Sequence, residues 1–561
     1  MAASFATLHV LFLTWFLPAT FSLSFFFFKA ESISNVSRNE KDKQALLTLK
    51  RGLTDHGHVI LSSWSDHKDC CICDGVFCDN KTGRVSKLHL NYLRLGGEIS
   101  GPLLQLEHLN YLDLSDNDFN CTPIPTFLGS MYNLTHLDLS STNVCGLIPH
   151  QLGNLSSLRY LSLGNNSDLY VDSLHWMSGL FAIQYLDLSY SNLHREVDWL
   201  QIMSMFPSLL DLILRYCHLD SLNPSLGFVN FTSLRVFHLS GNHFNHEIPN
   251  WFSNLSTSLV RISLYNNSLK GNIPPSIFNL EKLKYLDLGL NSLNGPIPSS
   301  IGNLSHIRAL YLNQNQLNGT IPKNLGLLSK LEKLYVGKNS LTECSVGSQR
   351  KEMEYKENLK LVRLIDLSSN NLSRSIPAEI SNLSELDFLN LSRNHLMGKI
   401  LEKFGSMKEL ESVDLSRNHL LGKIPPKMSN LTFLSLLDLS YNNLSGRIPS
   451  STQLQSFDAF RYIENPRLCA DPLPKSCTIE EQSLNRSPIG SVEDDSKNSS
   501  FYIGMRVGFA TGFWAICGAL FFNRTWRHAY FRFADEIKDW IYVTTMIKMN
   551  LLEKLRVCLS K

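Results

Sequence analysis

The fold of this chain is decided by the stretch Leu283-Lys-Tyr-Leu-Asp-Leu-Gly-Leu-Asn-Ser-Leu-Asn-Gly-Pro-Ile-Pro298 and by its repetition. With x for a variable residue, the unit is Leu-x-x-Leu-x-Leu-x-x-Asn-x-Leu-x-Gly-x-Ile-Pro. Regular copies begin at Leu259, Leu283, Ile307, Leu331, Val362, Leu386, Leu410 and Leu434. Looser copies begin near Val85, Leu109, Leu134, Leu158, Ile183, Leu209 and Leu234. A fixed period of this length indicates stacked structural repeats, which explains the 561 residues without several separate compact domains.

The Leu-x-Leu core of each unit predicts a short β-strand. Side chains alternate between the two faces of a strand, so the leucines point inward and the intervening residues outward. Strands stacked in this way form one long parallel sheet whose outer face is concave. The unit has the length and pattern of a leucine-rich repeat. The sequence therefore predicts an α/β solenoid, a leucine-rich-repeat superhelix with a parallel concave sheet and a cap at each end.

Two recurring features of the unit have a structural role. The asparagines at one phase can turn their amides onto backbone groups of the adjoining loop; they are Asn267, Asn291, Asn315, Asn339, Asn394, Asn418 and Asn442. The Gly-x-Ile-Pro that follows supplies a permissive turn and a fixed φ; it occurs at residues 271–274, 295–298, 319–322, 422–425 and 446–449.

Segments outside the repeat set the domain boundaries. The repeat fails between Leu341 and Leu361, and cysteine-containing caps flank the repeats, as the exposed ends of a solenoid require. The predicted divisions are a signal peptide (1–30), an N-terminal cap (31–84), about eleven repeats (85–341), a non-repeat island (342–361), four repeats (362–457), a C-terminal cap with an acidic juxtamembrane segment (458–500), a transmembrane helix (501–522) and a cytoplasmic tail (523–561).

Two apolar stretches suggest the topology. The first, Leu8 to Phe28, precedes small and polar residues and suits a cleaved secretory signal, although its length also allows a signal anchor. The second, Phe501 to Phe522, has the length of a bilayer core. Acidic residues precede it and arginines follow it, which predicts a single-pass type I protein in the plasma membrane with its N-terminal region outside.

The Asn-x-Ser/Thr pattern supports an extracellular location. It occurs eighteen times before residue 501, which suggests a glycosylated surface, although the Asn-Leu-Ser/Thr of the repeat produces some copies trivially. Candidate N-glycosylation sites are Asn133, Asn154, Asn230, Asn254, Asn303, Asn382 and Asn430. Lys plus Arg (52) nearly balances Asp plus Glu (50), so no overall charge favours nucleic acid as a partner.

Four stretches outside the repeat carry a family resemblance. They are Asn39-Glu-Lys-Asp-Lys-Gln-Ala-Leu-Leu47, Asp69-Cys-Cys-x-x-x-Gly-Val-x-Cys78, Gly446-Arg-Ile-Pro-Ser-Ser-Thr-Gln-Leu-Gln455 and Trp526-Arg-His-Ala-Tyr-Phe-Arg-Phe533. With them the chain resembles plant leucine-rich-repeat receptor-like proteins, in particular the ethylene-inducing-xylanase-receptor-like group. The resemblance implies a one-pass cell-surface protein of plant defence that detects an extracellular, often microbial, ligand and signals through adaptor and co-receptor receptor-like kinases. Fewer repeats precede the island than in that family, so this is an apparently shortened member or an incorrect gene model.

The cysteines follow the family pattern only in part. The resemblance implies disulfides between Cys71 and Cys78 in the N-terminal cap and between Cys469 and Cys477 in the C-terminal cap. Where the family has a cysteine near Arg38 and a tryptophan at Cys73, this chain differs, so Cys70 loses its usual partner and could turn to Cys73. A zinc site on the four cap thiols is the alternative. Cys121 and Cys145 lie one repeat apart, near enough to bridge, and Cys217 suits a buried thiol.

The outward residues of the predicted strands are the candidates for ligand binding. Their default is Asp-Leu-Ser, but between Leu209 and Lys338 aromatic and basic residues often replace it, and such side chains carry much of the binding energy at protein interfaces. The predicted ligand-binding residues are Arg215, Tyr216, His238, Arg261, Tyr265, Tyr285, Tyr311 and Tyr335. Tyrosines are also well tolerated in a sheet, so simple packing remains an alternative. The near-consensus repeats from Val362 to Tyr441 are, by resemblance, the docking side for a co-receptor.

The predicted membrane helix carries Gly504, Gly508 and Gly512 on one face, a spacing that lets a second helix approach closely. Chance is a rival explanation because glycine is common in such helices. The tail after Phe522 contains no kinase motif, so we expect signalling to be delegated to partners.

No catalytic motif occurs in the chain, which predicts a binding protein that is not an enzyme and needs no cofactor or metal. The competing function is a truncated decoy, or an inhibitor of secreted microbial enzymes that shares the repeat.

Overall fold

The structure is a computed structural model that describes residues 40–55, 59–222, 231–255, 257–342 and 361–477. The chain divides into two units, residues 1–482 and 483–561, and every described residue belongs to the first. The predicted signal peptide, transmembrane helix and cytoplasmic tail, and nearly all of the predicted island, lie outside the described residues. Within the described ranges, no helix is both long and apolar enough to cross a membrane.

A sheet of sixteen strands runs through the described part of the chain. Its first two strands pair antiparallel and all later neighbours pair parallel, in chain order. The strands are Val76–Cys78, Val85–His89, Tyr111–Asp113, His136–Asp138, Tyr160–Ser162, Tyr185–Asp187, Asp211–Ile213, Val236–His238, Arg261–Ser263, Tyr285–Asp287, Ala309–Tyr311, Lys333–Tyr335, Leu364–Asp366, Phe388–Asn390, Ser412–Asp414 and Leu436–Asp438. The predicted parallel solenoid is therefore confirmed.

The repeat leucines form the core, as their spacing predicts. Leu283, Leu286, Leu288 and Leu293 of one repeat are all 0% exposed, because each strand turns them toward the interior where the next repeat covers them. The described parallel neighbours keep one register: Tyr285 lies opposite Arg261 on one side and Ala309 on the other. The antiparallel first pair has a shift between Phe77 and Cys78. A shared register places equivalent residues of successive repeats in straight columns across the sheet.

The asparagine column satisfies the backbone at the turn after each strand. Asn291 donates from Nδ2 to the carbonyls of Leu264 (2.9 Å) and Leu288 (3.1 Å) and accepts from the Leu269 amide at Oδ1 (3.0 Å). The residue before it, Leu290, has a φ of 52°. The equivalent residue has a positive φ in each of the other described repeats as well. A non-glycine residue in this region is held there by its surroundings, and the asparagine bonds supply that constraint.

Short 3-10 helices, rather than α-helices, lie between most successive strands, on the side of each repeat opposite the main sheet. In most repeats a proline of the Ile-Pro pair stands just before the helix; Pro298, for example, has a φ of −62°. A period of about 24 residues leaves too little chain for a longer helix. The 3-10 segments are Val59–Ser63, Cys70–Ile72, Gly101–Gln105, Thr126–Ser130, His150–Asn154, His175–Gly179, Asn250–Asn254, Pro275–Asn279, Ser299–Asn303, Lys323–Leu327, Ala378–Asn382, Glu402–Ser406, Pro426–Asn430 and Ala459–Arg461.

Smaller sheets form beside the main one where the Leu-x-Gly of the unit is extended. Gly295 in this segment has a φ of 70°, which a side chain would strain, and the other Gly-x-Ile-Pro glycines have the same conformation. The strands are Lys270–Asn272, Ser292–Pro296 and Gln316–Asn318 in one sheet, Met397–Gly398, His419–Gly422, Asn443–Arg447 and Arg467–Cys469 in a second, Gly146–Leu147 and Leu169–Tyr170 in a third, and Leu53–Asp55 with Leu95–Gly97 in a fourth.

Three α-helices complete the described chain: Glu40–Gly52, Trp199–Met203 and Thr452–Ser456. The first is the amphipathic helix of the N-terminal cap. Its buried Asp42 receives two bonds from the Arg84 guanidinium (2.9 and 3.0 Å) and one from the Val85 amide (2.9 Å). These charge-assisted bonds fix the cap helix on the first long strand of the solenoid.

The solenoid continues across the segment where the repeat fails. Lys333 and Tyr335 pair directly with Leu364 and Asp366. Asn370 also spans the junction, since it donates to the Val336 carbonyl (3.0 Å) and accepts from the Leu341 amide (3.0 Å). The sequence repeat is therefore interrupted between residues 342 and 361, but the stack of described repeats is continuous.

Candidate recognition surface

Each strand of the main sheet has two outward residues, one on either side of its central buried residue. Across successive strands these residues form two columns on the outer face of the sheet. In the strand Tyr285–Asp287 they are Tyr285 and Asp287, with the buried Leu286 between them. A third and fourth outward position follow after the strand, at Gly289 and Leu290 in this repeat. These four columns make up the concave face.

The default aspartate of the concave face turns back onto its own backbone. Asp287 accepts from the Gly289 amide (3.0 Å), and Asp138 accepts from the Ser140 amide (2.9 Å) and hydroxyl (2.6 Å). Both carboxylates are buried, and burial raises the pKa of Asp287 above its usual value. The aspartates therefore close the turn, and the residues that replace or flank them are left for recognition.

The predicted tyrosines at the later repeats lie together as one ridge. The rings of Tyr285 and Tyr311 are 5.2 Å apart between centroids, and those of Tyr311 and Tyr335 stack at 4.8 Å with an interplanar angle of 12°. The Arg261 guanidinium lies over the Tyr285 ring, 4.0 Å from its centroid. Burial raises the pKa of all three tyrosines, so their hydroxyls remain neutral donors.

The predicted residues at the preceding repeats form a second group beside this ridge. The Tyr216 ring stacks on Tyr190 at 5.0 Å. It also covers Gly241, where any Cβ would fall 2.3 Å from the ring. Arg215 lies 6.0 Å from the centroid of Tyr190. The glycine in this column therefore makes room for the tyrosine.

His238 and Tyr265 connect the two groups. Burial first, and then the nearby positive charges of Arg215 and Arg261, lower the pKa of His238 to about 4, so the ring is neutral near pH 7. Tyr265 is half-buried, and burial raises its pKa. All eight predicted residues thus face the concave side within six successive repeats. We call Arg215, Tyr216, His238, Arg261, Tyr265, Tyr285, Tyr311 and Tyr335 the recognition surface.

Both arginines of the recognition surface act on a carboxylate only from beyond contact distance: Arg215 favours the charged form of Asp187, and Arg261 that of Asp287. Among the described residues, neither Arg215 nor Arg261 has a carboxylate within ion-pair distance, whereas Arg308 nearby pairs with Glu332 at 3.2 Å. A guanidinium stacked on a tyrosine and not neutralised keeps its donors available to a ligand. The surface therefore offers aromatic area and positive charge together.

A second aromatic group was missed at the sequence level. Tyr111, His136, Tyr160 and Tyr185 stack in one column, with successive centroid distances of 3.9, 4.0 and 4.2 Å. The Tyr160 hydroxyl also donates to Asp138 (3.1 Å). The sequence signal is an aromatic residue at the same position of four successive repeats, and in most of them it is followed by the default Asp-Leu-Ser.

The cysteines pair in three disulfides within the described residues. They are Cys71–Cys78, Cys121–Cys145 and Cys469–Cys477. Cys217 is a buried thiol that donates to the Leu188 carbonyl (3.2 Å) from an asparagine position of the repeat.

The suggested pairing of Cys70 with Cys73 is wrong, because both are buried free thiols. The sulfurs of Cys70, Cys71 and Cys78 lie within 4.8 Å of one another. Because Cys71 and Cys78 form a disulfide, the zinc alternative loses two of its four thiolates.

The candidate glycosylation sites recur at one place in the fold. Asn154, Asn254, Asn303, Asn382 and Asn430 are each the last residue of a 3-10 helix, on the side away from the main sheet. Asn133 is exposed after a similar helix, and Asn230 lies outside the described residues. The glycines at 504, 508 and 512 also lie outside them. Glycans at the described sites would leave the recognition surface uncovered.

Family models match the chain at both the cap and the repeats. A model described as the leucine rich repeat N-terminal domain matches residues 39–79. Leucine rich repeat models match residues 132–193 and 257–317, and a further repeat model matches 108–131, 233–255, 362–383, 409–431 and 433–454. The matched segments coincide with the cap helix and with repeats of the observed solenoid.

Curated relatives and solved structures agree with these matches. Receptor-like protein EIX1 of Solanum lycopersicum is 41% identical over 269 residues, which are 44% of this chain and 26% of that protein. Receptor-like protein EIX2 of the same species is 36% identical over 289 residues, 44% of this chain and 28% of that protein. The chain thus matches little more than a quarter of the length of these relatives.

Among solved structures, that of a TDR receptor superposes with a TM-score of 0.56 at 25% identity, covering 69% of this chain and 77% of that one. The fold, the cap and the repeats lead to one conclusion. The chain is a leucine-rich-repeat protein whose cap and repeats are similar to those of plant receptor-like proteins.

Proposed function

We propose that this protein is a cell-surface receptor that binds an extracellular protein or peptide, of microbial origin in plant defence, on its recognition surface. The observation that carries the proposal is the set of five tyrosines and two arginines on six successive repeats, in which the rings of Tyr285, Tyr311 and Tyr335 are in contact and Arg261 lies over Tyr285. Tyrosine and arginine are the residues that most often dominate the binding energy of protein interfaces. The protein acts by binding and is not an enzyme.

The dimensions of the recognition surface suit an extended segment of a protein ligand. Neighbouring strands of a sheet lie about 4.8 Å apart, so the six strands from Asp211–Ile213 to Lys333–Tyr335 span about 24 Å. An extended chain rises about 3.3 Å per residue, so about seven ligand residues would cover this distance. The Tyr285 hydroxyl already donates to Asp287 (3.1 Å), so the surface offers such a segment mainly aromatic contact area and the donors of Arg261.

The remaining parts of the proposal rest on the family resemblance. The chain is placed in the plasma membrane as a single-pass type I protein, and a co-receptor kinase docks on the repeats from Val362 to Tyr441. An adaptor receptor-like kinase pairs with the membrane helix through Gly504, Gly508 and Gly512. Replacing these three glycines by leucine should abolish co-precipitation of the kinase, and unchanged co-precipitation would exclude this pairing.

The central experiment removes tyrosines from the recognition surface. Cells displaying the variant with Tyr265, Tyr285 and Tyr311 all changed to alanine should lose retention of labelled proteins from a fungal culture filtrate, while the variant is still secreted to the surface. The matched control changes Tyr111, Tyr160 and Tyr185 to alanine, which removes the same number of rings from the same sheet. If the control variant loses retention while the variant of Tyr265, Tyr285 and Tyr311 keeps it, the ligand binds the earlier repeats and the proposal is contradicted.

The alternative function is a decoy or an inhibitor of secreted microbial enzymes. It is considered because the segments that match the receptor-like proteins named above cover little more than a quarter of those proteins. A receptor triggers a response in leaf tissue when the ligand is applied, whereas a decoy binds the ligand and suppresses the response of other receptors. Calcium influx in leaf discs with and without the protein separates the two.

A further inference from the structure

Two histidines of adjacent repeats meet at the rim of the recognition surface. His218 follows Tyr216 by two residues, and His243 stands at the equivalent position of the next repeat. The Nδ1 atom of His218 lies 3.2 Å from the Nε2 atom of His243, and the ring centroids are 5.4 Å apart with an interplanar angle of 32°. Both side chains are exposed.

The backbone holds the two rings at this separation. The His243 amide donates to the Leu219 carbonyl (2.8 Å). The Cys217 and Leu219 amides, on either side of His218, both donate to Asn242 Oδ1 (3.1 Å each). Cys217 and Leu219 are also buried. The two imidazoles therefore project from a fixed framework, and only their side-chain torsions are free.

The two nitrogens are at hydrogen-bond distance in the structure, and their separation also matches the spacing of two ligands on one metal ion. Imidazole nitrogens bind Zn²⁺ at about 2.0 to 2.1 Å, so two of them lie about 3.3 to 3.4 Å apart in a tetrahedral site and about 2.9 Å apart at a right angle. The observed 3.2 Å falls between these values. To bind an ion, the exposed rings would exchange the hydrogen bond between them for two lone pairs directed at the ion, with loss of the shared proton.

The surroundings also favour a cation. Beside the pair, His194 Nδ1 lies 3.0 Å from the Asp220 carboxylate, two residues after His218. Imidazole is a preferred ligand of Zn²⁺, Ni²⁺ and Cu²⁺ but a poor ligand of Mg²⁺ and Ca²⁺.

We propose that His218 and His243 together hold one divalent transition-metal ion, Zn²⁺ in the first place, at the rim of the recognition surface. Water completes the coordination, so the site is open and of moderate affinity. This inference goes beyond the proposed function and does not depend on it, because the metal binds to the free protein.

The chain supplies a matched control in a second histidine pair. His395 and His419 occupy the same repeat position in later repeats, and their rings stack at 5.7 Å with an interplanar angle of 16°. Stacked rings direct their nitrogens along parallel planes rather than toward each other. This pair controls for unspecific binding to exposed histidines.

The test uses the purified full-length chain without a histidine tag and Zn²⁺ alone as the probe. Titration calorimetry should show one site whose affinity falls at least tenfold in His218→Ala and in His243→Ala, with no change in His395→Ala. Diethylpyrocarbonate labelling read by mass spectrometry should show Zn²⁺ protecting His218 and His243 but not His395 and His419. Because these side chains are exposed, the variants should keep the unfolding temperature of the parent.

Three results would overturn the inference. The first is equal protection of both histidine pairs, and the second is an affinity unchanged by the substitutions at 218 and 243. Either would mean that the bound Zn²⁺ is an adventitious ion only. Co²⁺ in place of Zn²⁺ should give no thiolate charge-transfer absorption, and such a band would place the metal on Cys70 and Cys73 instead.

Discussion

Substituting Asn291 by alanine should open the solenoid locally, by an amount that the structure allows to be worked out. The two hydrogens on Nδ2 are shared among the carbonyls of Leu264, Leu288 and Gly289, and Oδ1 accepts from the Leu269 amide, so the change removes the equivalent of three bonds. A buried hydrogen bond contributes about 1 kcal/mol to stability, so three of them amount to about 3 kcal/mol. Repeats contact mainly their neighbours, so the loss should be confined to the adjacent repeats.

Hydrogen exchange read by mass spectrometry measures this free energy repeat by repeat. A loss of about 3 kcal/mol corresponds to exchange about a hundredfold faster in the peptides around Leu269 and Leu288. Peptides from the repeats after residue 362 should exchange at the rate of the parent protein.

Asn267, at the same position one repeat earlier, is the matched control. Its Nδ2 donates to the Leu239 and Leu264 carbonyls (3.1 and 3.0 Å), but its Oδ1 has no partner in the structure. Asn267→Ala should therefore cost about 2 kcal/mol, and the two variants should differ about fivefold in exchange. Equal costs, or a larger cost for Asn267, would refute the reasoning that the amide bonds of this column hold the turns.

Three further outcomes follow from the same contacts. Arg261→Ala should weaken ligand retention about tenfold by removing an unpaired cation, whereas Arg308→Ala, whose guanidinium already pairs with Glu332, should not change it; equal effects would exclude a specific role. The unfolded state binds a proton at His238 near pH 6.5 and the folded state only near pH 4, so the stability contributed by the neutral ring is lost as the pH falls between these values. His238→Gln should reduce the acid sensitivity of the melting temperature in that range. Cys121→Ser should lower the stability of the earlier repeats by about 2 to 4 kcal/mol, detectable as faster proteolysis there.

The periodicity was sufficient to predict the scaffold because the backbone conformation of each unit is set by residues within that unit and its neighbour. Leucine at alternating positions determines which face of the strand turns inward, and Leu286 is buried on that face once the neighbouring repeats cover it. The asparagine amides and the glycines with positive φ act within two neighbouring repeats. Such short-range contacts are readable from one period of sequence.

The recognition surface was only partly predictable. The outward tyrosines and arginines could be placed on the concave face by counting along the strand. That the aspartates beside them are buried, as Asp287 is, depends on a carboxylate bending back to an amide two residues later. The flat column from Tyr111 to Tyr185 depends on the register between strands, which no single repeat encodes.

The sequence by itself determined the repeat, its inward leucines, its asparagine column and the side of the sheet on which the candidate ligand residues lie. Only the tertiary structure decided which of those residues touch: Tyr311 with Tyr335, Tyr216 over Gly241, and His218 with His243. The physical reason is distance along the chain. Whether a side chain points inward or outward follows from the two-residue alternation along its own strand. The contacts named above join residues about one repeat apart, so they depend on how whole repeats stack.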